Sequence, residues 1–174
     1  MLRAFLFAVM VPTMSHADTL IDDFSGGAGS RWSYVSDQVM GGVSEGQAAL
    51  NADGFIHLTG EVSTDNNGGF IQVRRDLDPL PQGSTAIVLR VKGDGQTYYM
   101  NLRTTQTRRP WHSYRTSFET TGEWQEVVIA LADLAPSGRG FDTPLDITKT
   151  RSIGLMAYGR DHTADLKIAE ISVR

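Results

Sequence analysis

The sequence has no cysteine. That absence excludes a disulfide framework, a thiolate metal site, a cysteine nucleophile and a lipidated cysteine at a leader cleavage point. Long apolar runs are also missing. The longest, "AFLFAVMVP" from Ala4 to Pro12, is too short to span a bilayer. It follows Arg3 and precedes the small residues of "SHA", which predicts a secretory leader over residues 1–17 and a mature chain beginning at Asp18. A retained membrane anchor is the competing reading, and the short run broken by Pro12 counts against it.

Positive charge is scarce as well. The 16 basic residues are outnumbered by 20 acidic ones, and setting Arg3 aside with the leader leaves about −5 of formal charge, which repels nucleic acid and anionic lipid. Neither nucleic acid nor membrane insertion after leader removal is expected. Familiar catalytic patterns are absent: no G-x-S-x-G elbow, no H-E-x-x-H, no phosphate loop and no complete dinucleotide fingerprint, since "GDGQTY" supplies only two glycines. His57, His112 and His162 stand far apart and read as surface or partner-satisfied residues, so neither a metal nor a cofactor is expected.

What is present is a β pattern. With 174 residues, 40% hydrophobic and 18 glycines, the chain has enough apolar side chains for one core and turn signals at short intervals, as in an antiparallel sandwich. Residues 18–174 are expected to form a single domain. "QAALNADGFIHLTG" reads as a hairpin turning at Asn51 to Gly54. Period-two alternation places Ile87, Leu89 and Val91, then Tyr98, Met100 and Leu102, then Val127, Ile129 and Leu131 in the core. In "DLKIAEISVR" the alternation breaks, and a bulge near Ala169 and Glu170 would keep Leu166, Ile168, Ile171 and Val173 on one side. "APSGRGFDTPLD", Ala135 to Asp146, reads as a long irregular connection.

Three features could carry chemistry. "SDQVMGGVSEG" pairs Gly41 and Gly42 between Asp37 and Ser44, which implies a bend or a close approach of backbone or ligand. Asp37 and Ser44 either tie down that bend or reach a ligand. "STDNNGGF" repeats the logic around Asn67 as an Asx-rich turn. A calcium arrangement joining Asp22 or Asp23 to Glu170 is a further alternative, without EF-hand spacing. The third feature is a set of basic and aromatic residues opposite the expected core: Arg74, Arg90, Tyr99, Asn101 and Arg103, then Trp111 and Tyr114 in "RRPWHSYR". Arg forks and aromatic faces suit recognition of anions, sugars or protein partners, although a solvated polar sheet reads the same way.

Taken in order, "DDFSGG" with Trp32, "SDQVMGGVSEG", "NNGGF" leading to Arg74, "LRVKGDGQTYY", "WHSYRTSF", "EWQEVVIAL", "PSGRG" and "SIGLM" resemble the complex I intermediate-associated protein 30 family. Ala130 stands where such members often carry proline. The resemblance covers nearly the whole mature chain and implies an all-β, galactose-binding-like jelly-roll sandwich. It also implies a non-catalytic assembly factor, because mitochondrial members act in building the peripheral arm of respiratory complex I. In a bacterium that arm faces the cytoplasm, whereas this chain is expected in the periplasm or secreted. The expectation is therefore an exported binding protein for a protein client, with a glycan-binding module as the alternative and an enzyme of unrecognised mechanism as the third reading. The expected contacts are Asp37, Ser44, Asn67, Arg74, Arg103, Trp111 and Tyr114.

Overall fold

A computed structural model describes residues 18–27 and 31–174; the leader expected over residues 1–17 lies outside them. Twelve strands are formed among the described residues: β1 (Thr19–Asp22), β2 (Ser33–Ser36), β3 (Glu45–Asn51), β4 (Phe55–Val62), β5 (Phe70–Asp76), β6 (Ala86–Lys92), β7 (Thr97–Thr104), β8 (Ser113–Glu119), β9 (Gln125–Ala130), β10 (Ala135–Ser137), β11 (Thr150–Tyr158) and β12 (His162–Val173). The first sheet has the order β3-β4-β12-β6-β9, with β1 also paired to β12; the second is β10-β8-β7-β11-β5-β2. The chain passes repeatedly from one sheet to the other, which makes an all-β jelly-roll sandwich. The expected irregular connection after Leu134 therefore begins with a short strand, β10, whose Pro136 stands opposite Tyr114 of β8. Among the described residues no helix is long and apolar enough to cross a membrane.

Alternation explains which side chains meet between the sheets. Ile87, Leu89 and Val91 on β6 and Tyr98, Met100 and Leu102 on β7 are wholly buried in one hydrophobic cluster. On β9, Ile129 joins them, with Leu131 just beyond the strand, while Val127 is only half-buried. The β3–β4 hairpin closes as its sequence requires: the Gly54 amide donates to the Asn51 carbonyl at 3.1 Å, and Gly54 takes the left-handed φ of 78°.

The register of β12 against β6 slips between Ile168 and Glu170. That bulge brings Leu166, Ile168, Ile171 and Val173 all to the core. A regular strand would turn Ile171 and Val173 outward, at a cost of about 1.5–3 kcal/mol for each side chain left exposed.

Asp22 closes one edge of the sandwich. Its buried carboxylate accepts hydrogen bonds from the Phe24 amide at 2.9 Å, Trp32 Nε1 at 2.9 Å, Arg31 Nη2 at 3.0 Å and Arg75 Nη1 at 2.6 Å. Burial pushes the Asp22 carboxyl up, but the hydrogen bonds from Arg31, Trp32 and Phe24 and the Arg31 charge outweigh it, so it is held below the ordinary range. Two guanidinium groups thus occupy the carboxylate of Asp22, one of the two acids that the calcium alternative would have joined to Glu170. No group of three His, Asp or Glu side chains able to hold a metal ion occurs among the described residues.

Candidate functional site

The two glycine motifs fold into one knot. After β2, a 3-10 turn over Asp37–Met40 swings the Asp37 side chain inward. Its carboxylate, fully buried, accepts from the Ser44 amide at 2.9 Å, from Ser44 Oγ, from the Gly69 amide and from the Phe70 amide at 3.2 Å. Ser44 Oγ accepts in turn from the Ser63 amide at 3.0 Å. One acid therefore fastens the β2–β3 crossover to the β4–β5 crossover.

Each glycine pair divides the labour the same way. Gly41 and Gly69 take left-handed φ values of 92° and 119°, where a side chain would be strained. Gly42 and Gly68 are needed for space, because a Cβ on either would collide with the Asp37 carboxyl group. Burial pushes the Asp37 carboxyl up, and hydrogen bonds from Ser44, Gly69 and Phe70 more than offset it, leaving the group below its ordinary value.

This placement decides what Asp37 and Ser44 can touch. Both are wholly buried, so they brace the rim from within and present nothing to a ligand. Ser44 Oγ bonds to Asp37 and Ser63 and to no histidine, so it is not set up as a triad nucleophile. Asn67, with φ 58°, is exposed on the outside of the knot. Val39, Met40 and Val43 are exposed apolar residues on the β2–β3 crossover.

Arg74 and Arg103 lie elsewhere. Strand β5 runs from Phe70, beside the knot, to Arg74, about 13 Å on at the strand rise, and ends at Asp76, about 20 Å on. In the second sheet Arg74 pairs with Gly154 of β11, Gly154 with Asn101 of β7, and Asn101 with Arg115 of β8. These residues alternate with the buried ones and face away from the core. The next row along is Gln72, Met156, Tyr99 and Ser117.

The middle of this outward face is recessed. Asn101, Ser152 and Met156 are only 7%, 5% and 4% exposed although they point away from the core. Gly154 leaves room for the floor: a Cβ there would press on Asn101 Oδ1 at 2.8 Å and Gln72 Oε1 at 2.9 Å. Asn101 Nδ2 donates to Gln72 Oε1 at 3.3 Å. Tyr158 and Tyr99 meet edge to face, 5.5 Å apart, and the Arg115 guanidinium lies 4.0 Å from the Tyr158 ring centroid. The result is an amide floor with an aromatic wall.

The β7–β8 loop borders the arginine end. Arg103 Nη2 donates to the carbonyls of Thr107 at 3.3 Å and Arg109 at 3.0 Å, and Arg109 lies over the ring of Trp111, which is half exposed. Tyr114 is a different matter. It faces the core, wholly buried, and its hydroxyl donates to the Pro144 carbonyl at 3.1 Å. Its side chain holds the Pro144 loop and is closed to any ligand on the outer face. Arg90 belongs to the other sheet, stacked on Trp124 with 5.6 Å to the ring centroid.

The structure thus brings Arg74, Arg103 and Trp111 to one end of a single face, places Asn67 at the other end, and puts Asp37, Ser44 and Tyr114 beneath the surface. The sequence reading missed Gln72, Arg115, Arg151, Met156 and Tyr158. A signal was present: "SIGLMAYGR" alternates, so Gly154, Met156 and Tyr158 share the face opposite Ile153, Leu155 and Ala157.

Several solved structures share this architecture. The family 11 carbohydrate-binding module of a cellulosomal cellulase of Clostridium thermocellum superposes with a TM-score of 0.71 at 16% identity, over 91% of this chain and 95% of that one. The Clostridium thermocellum family 11 module in complex with a beta-1,3-1,4-mixed-linked tetrasaccharide gives 0.69 at 17% identity, over 90% and 94%. An agarase matches with 0.61 at 11% identity, over 91% of this chain but 26% of its own. At such identities the likeness is one of fold. No curated protein matches the sequence. The sequence profile of complex I intermediate-associated protein 30 matches residues 23–168, and the chain belongs to that family.

Proposed function

We propose that this chain is a non-catalytic binding module that holds a glycan along the outward face of its second sheet. The observation that carries the reading is the recess itself, in which the Gln72 and Asn101 amides form the floor and Tyr99 and Tyr158 the wall. Amides donate to and accept from sugar hydroxyls, and aromatic rings pack against the apolar faces of sugar rings. The tetrasaccharide complex of the family 11 module supports the reading by analogy of fold. Arg74, Arg103 and Trp111 serve as contacts at one end, Asn67 at the other, and Asp37 and Ser44 keep the rim in shape.

Calorimetry against a panel of oligosaccharides tests this. Binding is expected to one class, and Tyr158→Ala should weaken it by about tenfold or more if one ring contributes over about 1.4 kcal/mol. Trp124→Ala, on the opposite sheet, should leave it unchanged. Silence across the panel, or equal loss in both variants, rejects the glycan face.

A second reading, a client-binding assembly factor, rests on the apolar residues Val39, Met40 and Val43, exposed by 76%, 61% and 45%. A single client recovered from an extract and lost in Met40→Ser with Val39→Ser would favour it. Both readings place the protein outside the cytoplasm. Sequencing the mature N-terminus should find Asp18, and an intact Met1 would reject export through a cleaved leader.

A further inference from the structure

The arginine end of the face is short of negative charge. Arg74, Arg103 and Arg151 line a polar pocket of about 130 Å3 with Asp76, Thr107 and Ser152. Three guanidinium groups face one carboxylate there, a formal excess of two positive charges. Among the described residues none of the three arginines forms an ion pair. Arg103 is half-buried, and its Nε is buried without a hydrogen-bond partner. A guanidinium N–H can only donate, so a buried one without an acceptor is a standing demand for an oxygen atom.

Burial, then the charges of Arg74 and Arg151, hold Arg103 below the ordinary arginine range. It stays protonated all the same, so the repulsion among the three groups persists until an anion arrives. Planar N–H forks match the paired oxygens of a carboxylate or sulfate. We propose that this pocket receives the oxyanion of an acidic sugar unit, a uronate carboxylate or a sulfate ester, on a glycan lying along the recess. The inference rests on the glycan reading above and names its substrate class. Asp76 opposes the anion from inside the same pocket, which gives the proposal a sign: removing that carboxylate should strengthen binding.

Calorimetry with neutral, uronate and sulfated oligosaccharides of matched length is the test, together with NMR of the arginine Nε–H signals during titration with inorganic sulfate. An acidic ligand is expected to bind more tightly than the neutral one, and added salt should weaken it. Arg74→Gln and Arg151→Gln should each lose about tenfold in affinity, and Asp76→Asn should gain severalfold. A thermal melt confirms that each variant is folded. Preference for uronate or sulfate identifies the source of the oxyanion.

Equal affinity for neutral and acidic ligands, untouched by Arg74→Gln, overturns the anion pocket while the glycan face stands. Inorganic sulfate is expected to shift the Arg103 Nε–H; such a shift while no oligosaccharide of the panel binds overturns both readings, because the pocket would then serve a free anion and not a sugar.

Discussion

Arg74 and Arg75 are neighbours in the chain with opposite surroundings. Arg75 turns to the inner side of β5, where Nη1 lies 2.6 Å from the buried Asp22 carboxylate and the guanidinium packs over Trp32. Arg74 turns outward beside Arg103 and Arg151, with no acid paired to it. One arginine completes a folded edge, and the other waits at an open face. The same split separates the Asp37 knot from the recess. Where a charge is met by the protein's own groups the residue serves stability, and where it is left unmet the residue is available to a partner.

The sharpest way to break this comparison is to remove the inner acid. Asp22→Ala deprives Arg31, Arg75 and Trp32 Nε1 of their acceptor, and stranding buried or half-buried charge should cost about 3–5 kcal/mol in urea unfolding. A loss below about 1 kcal/mol would show that Arg75 is as free as Arg74. Asp37→Ala should cost a comparable amount, because the buried amides of Ser44 and Gly69 lose their acceptor.

Gly42→Ala attacks the same knot sterically. The new methyl meets the Asp37 carboxyl group, which is fixed by four donors and cannot swing away, so a loss of about 1–3 kcal/mol is expected. Gly41→Ala meets no atom but must adopt φ near 92°, at a cost of about 1–2 kcal/mol. A Gly42→Ala variant as stable as the parent would mean that Asp37 does not fill that space.

Acid should expose the inner carboxylates and not the outer arginines. Asp22 and Asp37 are both held below the ordinary carboxyl value of 3.8. Their contribution is therefore complete above that value and is lost as the pH falls through their lower folded-state values. The urea midpoint should stay high near neutrality and fall steeply in this acid window. Asp22→Asn should flatten the fall, and an unchanged slope would assign the acid sensitivity elsewhere.

Much of this fold was legible in the residues. The β3–β4 turn follows from Asn51 and Gly54, and the broken alternation around Ala169 announced the β12 bulge because four apolar side chains had to share one side. The glycine pairs signalled close approach, but not what approached. That Asp37 enters both gaps depends on two crossovers meeting in space through bonds that span 19 to 33 residues of sequence, and no local pattern encodes it. Alternation also gave Arg103 and Arg90 as outward residues without saying that they face opposite sides of the sandwich. Tyr114 sits one position from Arg115, so an error of a single residue in phase exchanges a core side chain for a surface one.

The smallest expected effect sharpens the comparison most. Arg74→Gln removes one of three crowded guanidinium groups and breaks no ion pair, so its stability should match the parent within about 0.5 kcal/mol. Relief of repulsion should tilt the change toward a gain at low ionic strength, and the gain should shrink as salt screens the charges. Urea unfolding at low and high sodium chloride reads both. A loss of more than about 1 kcal/mol would mean that Arg74 has an internal partner equivalent to Asp22, and the distinction between neighbouring residues on β5 would fail. A neutral or favourable change, set beside a tenfold loss of acidic ligand, would place Arg74 outside the fold's own interactions and inside those of its partner.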